Sequence, residues 1–110
     1  MHEFSKSHKR RLRELSARLY EQDLKESLAV LSRKFDDWKA GKISSVQLSE
    51  LLHEYDIGES RRLWSRYDTK RHDMIVAHGF VRGFLTEADI GSDLIKELQN
   101  AIRFYREEQE

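Results

Sequence analysis

The sequence predicts an all-α protein, a compact orthogonal bundle of about five helices with a long N-terminal helix. None of its 110 residues is proline, so the residue that most strongly breaks a helix is absent. Apolar residues recur at spacings of three and four, the period of one helix face, and 36% of the residues are charged. We predict a single helical domain over residues 1–110, because chains of this length usually form one domain.

The first predicted helix covers residues 5–40 and carries two apolar stripes. The first stripe consists of three leucines. At the helical rotation of about 100° per residue, they point about a third of a turn away from the second stripe. No glycine or proline separates the stripes, which favours one continuous helix, although Asp23 with Glu26 three residues later would also suit a break. The first stripe consists of Leu12, Leu15 and Leu19, and the second of Leu24, Leu28, Leu31, Phe35 and Trp38.

A helical hairpin follows from the signals around Gly41. Glycine readily takes the left-handed conformation that ends a helix. Ser44 and Gln47 have the spacing of a capping box, which starts the next helix. Apolar periodicity then predicts helices over 44–55, 60–67, 74–86 and 92–107, with a turn at 57–60, a loop at 68–73 and a linker at 87–91. The residues expected to point inward from the helix over 44–55 are Val46, Leu48, Leu51 and Leu52. The apolar stripe of the last helix consists of Leu94, Ile95, Leu98, Ala101, Ile102 and Tyr105.

The composition excludes several classes of function. The formal net charge is zero and the pI is about 7.0, so the whole chain has no field that would attract nucleic acid or an anionic membrane. The absence of cysteine excludes disulfides, thiolate metal sites and cysteine nucleophiles. No apolar run is long enough for a membrane span or a signal peptide. We therefore expect a cytoplasmic protein with no membrane partner.

Two sequence patterns resemble parts of metal-binding motifs, but each lacks most of the residues that would coordinate the metal. The hairpin loop follows the outline of an EF-hand that opens at Asp36, but Trp38, Ala40 and Gln47 occupy positions where calcium needs oxygen ligands. Glu50 and His53 form half of a di-iron bundle motif, without its second half. We expect no metal and no cofactor. A metal-binding or small-molecule-binding domain around Glu50, His53 and His78 is kept as an alternative.

Enzymatic activity is not expected either. The sequence contains no nucleophile elbow, no phosphate-cradling glycine loop and no paired catalytic carboxylates at a recognisable spacing. His72, Asp73 and His78 are close in sequence, but a general base also needs a positioned nucleophile or substrate. We assign no catalytic residues.

The basic N-terminal segment supplies a second alternative. Lys9, Arg10, Arg11 and Arg13 lie within five residues, and several cations on one accessible face can neutralise phosphates. An accessory nucleic-acid-binding protein is therefore considered, although no helix with base-reading side chains is evident.

A frame of apolar and aromatic positions resembles that of small helical bacterial proteins of unassigned function. The resemblance extends over about residues 8–85 and implies a helical fold and a prokaryotic cytosolic setting, with no catalytic or binding residues. The positions are Phe35, Trp38, Gly41, Ile43, Leu48, His53 and Tyr55.

The function predicted first is a non-enzymatic protein–protein interaction module of unknown biological role. Leu12, Leu15 and Leu19 have no evident place in the core of the hairpin, so we expect them to form a homodimer interface or to contact another protein partner. Four aromatic side chains could line a ligand groove, but we expect them in the core, as is usual in small bundles; they are Trp38, Tyr55, Trp64 and Tyr67.

Overall fold

A computed structural model describes residues 3–109 and confirms the all-α prediction, since no strand occurs among those residues. The helices are α1 (Lys6–Lys39), α2 (Ser45–Tyr55), a π-helical turn (Asp56–Ser60), α3 (Arg61–Tyr67), α4 (His72–Val81), α5 (Glu87–Ile90), α6 (Ser92–Glu97) and α7 (Gln99–Gln109).

The described residues form two compact units. The terminal unit comprises residues 3–19 and 69–109, and the hairpin unit comprises residues 20–68. Each unit is described separately below. The assignment of 1–110 to a single domain stays a prediction.

Helix α1 is continuous through Asp23, as the lack of a helix-breaking residue favoured. It ends in a Schellman motif: Gly41 has a φ of +75°, its N–H donates to the carbonyl of Trp38, and the N–H of Lys42 donates to the carbonyl of Asp37. The predicted capping box is confirmed, with Ser44 and Gln47 bonding each other's backbone N–H groups. Only residues 40–44 separate α1 from α2, far fewer than the 12 residues of an EF-hand loop.

The terminal unit contains most of the buried apolar side chains. Helix α4 packs against α7, and the stripe predicted for residues 94–102 is buried as expected. Its buried apolar residues are Leu12, Leu15, Leu19, Val76, Ala77, Leu85, Ile90, Leu94, Ile95, Leu98 and Ile102.

The expected position of the first leucine stripe is therefore wrong. Leu12, Leu15 and Leu19 are 3%, 7% and 2% exposed, so they belong to the core of this unit and present no free surface. Leu19 lies against Gly79, where an added Cβ atom would be 2.5 Å from its Cδ1. The absence of a side chain at Gly79 lets α4 approach α1 at this point.

The boundaries of the later helices also differ from those predicted. Helix α4 begins at His72, within the predicted loop over 68–73. It ends at Val81, before the predicted end at residue 86, because Gly83 adopts a φ of +84°. The predicted linker contains the short helix α5, which a capping box between Thr86 and Asp89 starts. The predicted helix over 92–107 is interrupted at Leu98, which divides it into α6 and α7.

Candidate protein-binding surface

The hairpin unit leaves an unusual number of large apolar side chains in contact with solvent. Among the described residues of this unit, only Leu48 and Leu63 are buried apolar residues. Seven others are between 37% and 68% exposed, and such side chains mark an interaction surface where several of them are contiguous. The seven residues, whose exposed area we call the apolar surface of this unit, are Leu28, Val30, Trp38, Val46, Leu52, Ile57 and Trp64.

A groove of about 360 Å³ lies between α1 and α2, and we call it the hairpin groove. Spacings of three and four place its lining residues on one face of each helix. Most of the surface area that lines the groove is apolar, and charged side chains lie on both sides, Lys34 on α1 and Glu54 on α2. The lining residues are Ser27, Val30, Leu31, Lys34, Leu51, Glu54, Tyr55 and Glu59.

The exposure of the two tryptophans contradicts the expectation that they pack in the core. Trp64 is 57% exposed and Trp38 is 39% exposed. The indole of Trp38 is nevertheless fixed in place, because its Nε1–H donates to Ser45 Oγ at 3.0 Å and Phe35 meets it edge-on, with ring centroids 6.5 Å apart. Val46 and Leu52, which the spacing placed inward, are also exposed.

A polar contact holds α3 against α1 within this unit. The hydroxyl of Tyr67 donates to the buried carboxylate of Asp23, and Arg66 Nη1 lies 3.6 Å from the same carboxylate oxygen. The ring of Tyr20 stacks on Tyr67 with centroids 4.9 Å apart. These contacts position the helix that carries Trp64.

An ion pair borders the π-helical turn. Arg62 donates to both carboxylate oxygens of Glu59, at 3.0 and 2.8 Å. This hydrogen bonding lowers the pKa of Glu59 below its usual value. Glu59 therefore remains charged at the end of the hairpin groove.

The basic residues of the N-terminal segment have different surroundings in the terminal unit. Arg11 is directed inward and donates to the carbonyl of Ile90 at 2.9 Å and to Asp93 at 3.3 Å. Arg10 is exposed, whereas Lys9 and Arg13 line a separate cavity. The four cations predicted to contact nucleic acid thus do not form one uniform face, and nucleic-acid binding stays a prediction.

His8, which lies near Arg11, contacts two acidic side chains. Its Nε2 is 2.9 Å from Asp93 Oδ2, and its Nδ1 is 3.1 Å from Glu97 Oε1. The hydrogen bond to Asp93 raises the pKa of His8. The same bond, together with the backbone N–H of Leu94, lowers the pKa of Asp93 to about 2.

The residues considered for metal binding are not gathered into a ligand set. Glu50 and His53 are exposed on α2 of the hairpin unit. His78 belongs to the terminal unit, where its ring stacks on Tyr105 with centroids 4.5 Å apart. Within residues 3–109, no group of three or more His, Cys, Asp or Glu side chains has a geometry that could hold a metal ion.

None of the helices formed by residues 3–109 is both long enough and apolar enough to cross a bilayer. Comparisons with protein-family models, with curated proteins and with solved structures give no match to this chain. Its function must therefore be argued from its own residues.

Proposed function

We propose that this protein is a non-enzymatic helical interaction module that self-associates through the apolar surface of its hairpin unit. The observation that supports this proposal is the exposure of seven large apolar side chains in that unit, between 37% and 68%. Burying them would be favourable by roughly 25 cal/mol per Å² of apolar surface removed from water. Tryptophan is also among the residues enriched in the energetically dominant centres of interfaces.

The self-association proposed here replaces the predicted interface at Leu12, Leu15 and Leu19. Those side chains are buried in the terminal unit, so they offer little further area to a partner. The non-enzymatic character of the proposal is supported by the sequence, which lacks the recognisable catalytic motifs described above.

The charges of the hairpin groove favour a second copy as the occupant. Lys34 lies on the α1 side and Glu54 on the α2 side, and neither forms an ion pair with another residue of the described chain. In a two-fold symmetric dimer the same patch meets itself. Lys34 of one copy can then pair with Glu54 of the other, on both sides of the axis.

Sedimentation equilibrium between micromolar and millimolar protein tests this proposal. We expect the wild-type protein to show a concentration-dependent mass approaching that of a dimer, and Val30→Glu or Trp64→Glu to remain at the monomer mass of 13.1 kDa. Phe104→Glu is a matched control, because Phe104 is 48% exposed but belongs to the terminal unit. It is expected to dimerise like the wild type.

A charge exchange tests the role of the groove separately. Lys34→Glu alone should weaken the dimer, and Lys34→Glu combined with Glu54→Lys should restore it. A wild-type protein that remains monomeric at millimolar concentration would refute the proposal. Equal weakening by Phe104→Glu would place the interface outside the hairpin unit.

A further inference from the structure

The terminal unit contains a second concave site, formed where the beginning of α1 lies beside the segment that enters α4. This basic cavity has a volume of about 280 Å³. Three of its seven lining residues are cations, and two are apolar. The lining residues are Phe4, Lys9, Leu12, Arg13, Lys70, His72 and Asp73.

The electrostatics of the basic cavity favour an anion. The side chains of Lys9, Arg13 and Lys70 form no hydrogen bond or ion pair with another residue of the described chain. The one acidic residue, Asp73, is neutralised outside the cavity by Arg71, whose Nε and Nη2 lie 3.2 and 3.3 Å from its two carboxylate oxygens. Three positive charges thus face one small volume, and a bound anion would relieve their mutual repulsion.

His72 adds a second observation that indicates a ligand. Its Nδ1 is buried and has no hydrogen-bond partner among residues 3–109, although buried polar atoms in proteins almost always have one. The adjacent residue of α4, Asp73, is already paired with Arg71. Because His72 lines the cavity, rotation of its imidazole ring would let this nitrogen donate a hydrogen bond to an oxygen atom of a ligand bound there.

The apolar part of the lining and the size of the cavity limit the ligand further. Leu12 is buried and Phe4 is half-buried, so they form an apolar floor beneath the exposed cations. A volume of about 280 Å³ is just below the usual range for ligand sites, roughly 300–1,000 Å³. These features suit a ligand with one small apolar body and one charged group.

We propose that the basic cavity binds a small phosphomonoester whose organic part is apolar. A phosphomonoester carries a charge between about −1.5 and −2 at neutral pH, which matches three cations better than a carboxylate does. Arg13 can contact two phosphate oxygens through its guanidinium fork, whereas Lys9 and Lys70 act as point charges. This site is separate from the hairpin groove, and the proposal does not depend on self-association.

Isothermal titration calorimetry with phenyl phosphate at pH 8 tests the proposal. Parallel titrations use inorganic phosphate, benzoate and phenol, which lack the apolar body, the second charge and all charge, respectively. We expect phenyl phosphate to bind with a Kd below about 1 mM and at least about fivefold more tightly than any of the other three probes. Benzoate binding equally well would refute the assignment to a phosphoryl group, and phenol binding equally well would refute an anion site.

Variants locate the binding within the molecule. Lys9→Gln and Arg13→Gln should each weaken phenyl phosphate about tenfold, because a hydrogen bond to a charged group is worth about that factor. Arg10→Gln is the matched control: Arg10 is on the same helix and exposed but does not line the cavity. If Arg10→Gln weakens binding as much as Lys9→Gln does, the cavity is not the site.

Two further measurements distinguish the remaining explanations. His72→Phe should lose most of the binding while its melting temperature is unchanged or higher, since the variant removes the unpaired nitrogen. A fall in both melting temperature and binding would assign His72 a structural role and contradict its role in the site. A single-stranded oligonucleotide that binds more tightly than phenyl phosphate, and is weakened equally by Arg10→Gln and Lys9→Gln, would assign the segment to nucleic acid instead.

Discussion

Gly79 of α4 faces Leu19 of α1 so closely that a Cβ atom on the glycine would lie 2.5 Å from Leu19 Cδ1. Real Cβ atoms do not approach other carbon atoms to this distance, so any side chain at position 79 must displace Leu19. Since Leu19 is itself 2% exposed, it has little space into which to move. The close packing of α4 against α1 therefore depends on the glycine.

Gly79→Ala is expected to destabilise the protein. Overpacking of a dense core costs about 1–3 kcal/mol, which outweighs the gain of about 1 kcal/mol from replacing a helical glycine by alanine. Urea unfolding of both proteins measures the difference. Gly58→Ala is the control, because nothing lies within 4 Å of its added Cβ, and it should be neutral or slightly stabilising. A Gly79→Ala protein as stable as the wild type would show that Leu19 can move.

Truncation of Leu19 distinguishes a core residue from an interface residue. Leu19→Ala should lower the free energy of unfolding by about 2–5 kcal/mol, as for other buried leucines. Val46→Ala, at a position that is 68% exposed, should change the stability of the monomer by about 0.5 kcal/mol or less. Unfolding at low micromolar concentration checks both. A small effect of Leu19→Ala would restore the predicted role of this leucine at a surface.

The hydroxyl of Tyr67 is expected to stabilise the hairpin unit. In Tyr67→Phe the buried carboxylate of Asp23 loses this donor. Removing a hydrogen-bond partner from a buried acceptor lowers the free energy of unfolding by about 1–3 kcal/mol. Tyr55→Phe removes a hydroxyl that forms no hydrogen bond within the described chain, so it should have little effect. Circular dichroism during thermal unfolding compares the two, and equal melting temperatures would show that the other contacts of the Asp23 carboxylate are sufficient to satisfy it.

The contact between His8 and Asp93 should make the stability of the terminal unit depend on pH. The pKa of His8 is raised above 6.5, so its contribution is complete below about pH 6.5 and is lost as the pH rises through the raised pKa. The pKa of Asp93 is lowered from 3.8 to about 2. Its contribution is complete above about pH 4 and is lost as the pH falls toward 2.

Thermal unfolding of wild type and His8→Ala from pH 3 to pH 9 checks this expectation. The difference in melting temperature should be largest between about pH 4 and 6.5, where both groups are charged in the folded protein. It should decrease on the alkaline side. His53→Ala is the control, since His53 is exposed and its side chain forms no hydrogen bond to another described residue. A His8→Ala difference that stays constant with pH would contradict an electrostatic role.

Local signals in the sequence were sufficient to predict the hairpin. The end of α1 at Gly41 and the beginning of α2 at Ser44 depend on residues within a few positions of each other. The same kind of signal was present for α5, where Thr86 and Asp89 have the spacing of a capping box, and a search for that spacing would have found the helix. Local periodicity also identified the buried stripe of α6 and α7 correctly.

The candidate surfaces could not be predicted in this way, because they depend on contacts between distant residues. Spacing showed that Leu12 and Leu19 share a helix face but not that residues after 68 cover that face. It likewise could not show that Trp64 remains exposed, since burial depends on what packs above a side chain. Arg11 looked like part of a basic face, yet its guanidinium donates to the carbonyl of a residue 79 positions away.

The uneven burial along α1 predicts a sharp change in the hydrogen exchange of its amides. The helix has one unbroken set of backbone hydrogen bonds from Lys6 to Lys39, but its first half carries buried leucines, whereas its second half leaves Leu28, Val30 and Trp38 exposed. Local opening costs least where few apolar contacts must be broken. Amides from about Leu12 to Leu19 should therefore exchange through global unfolding, and those beyond Leu19 through smaller openings of the hairpin unit.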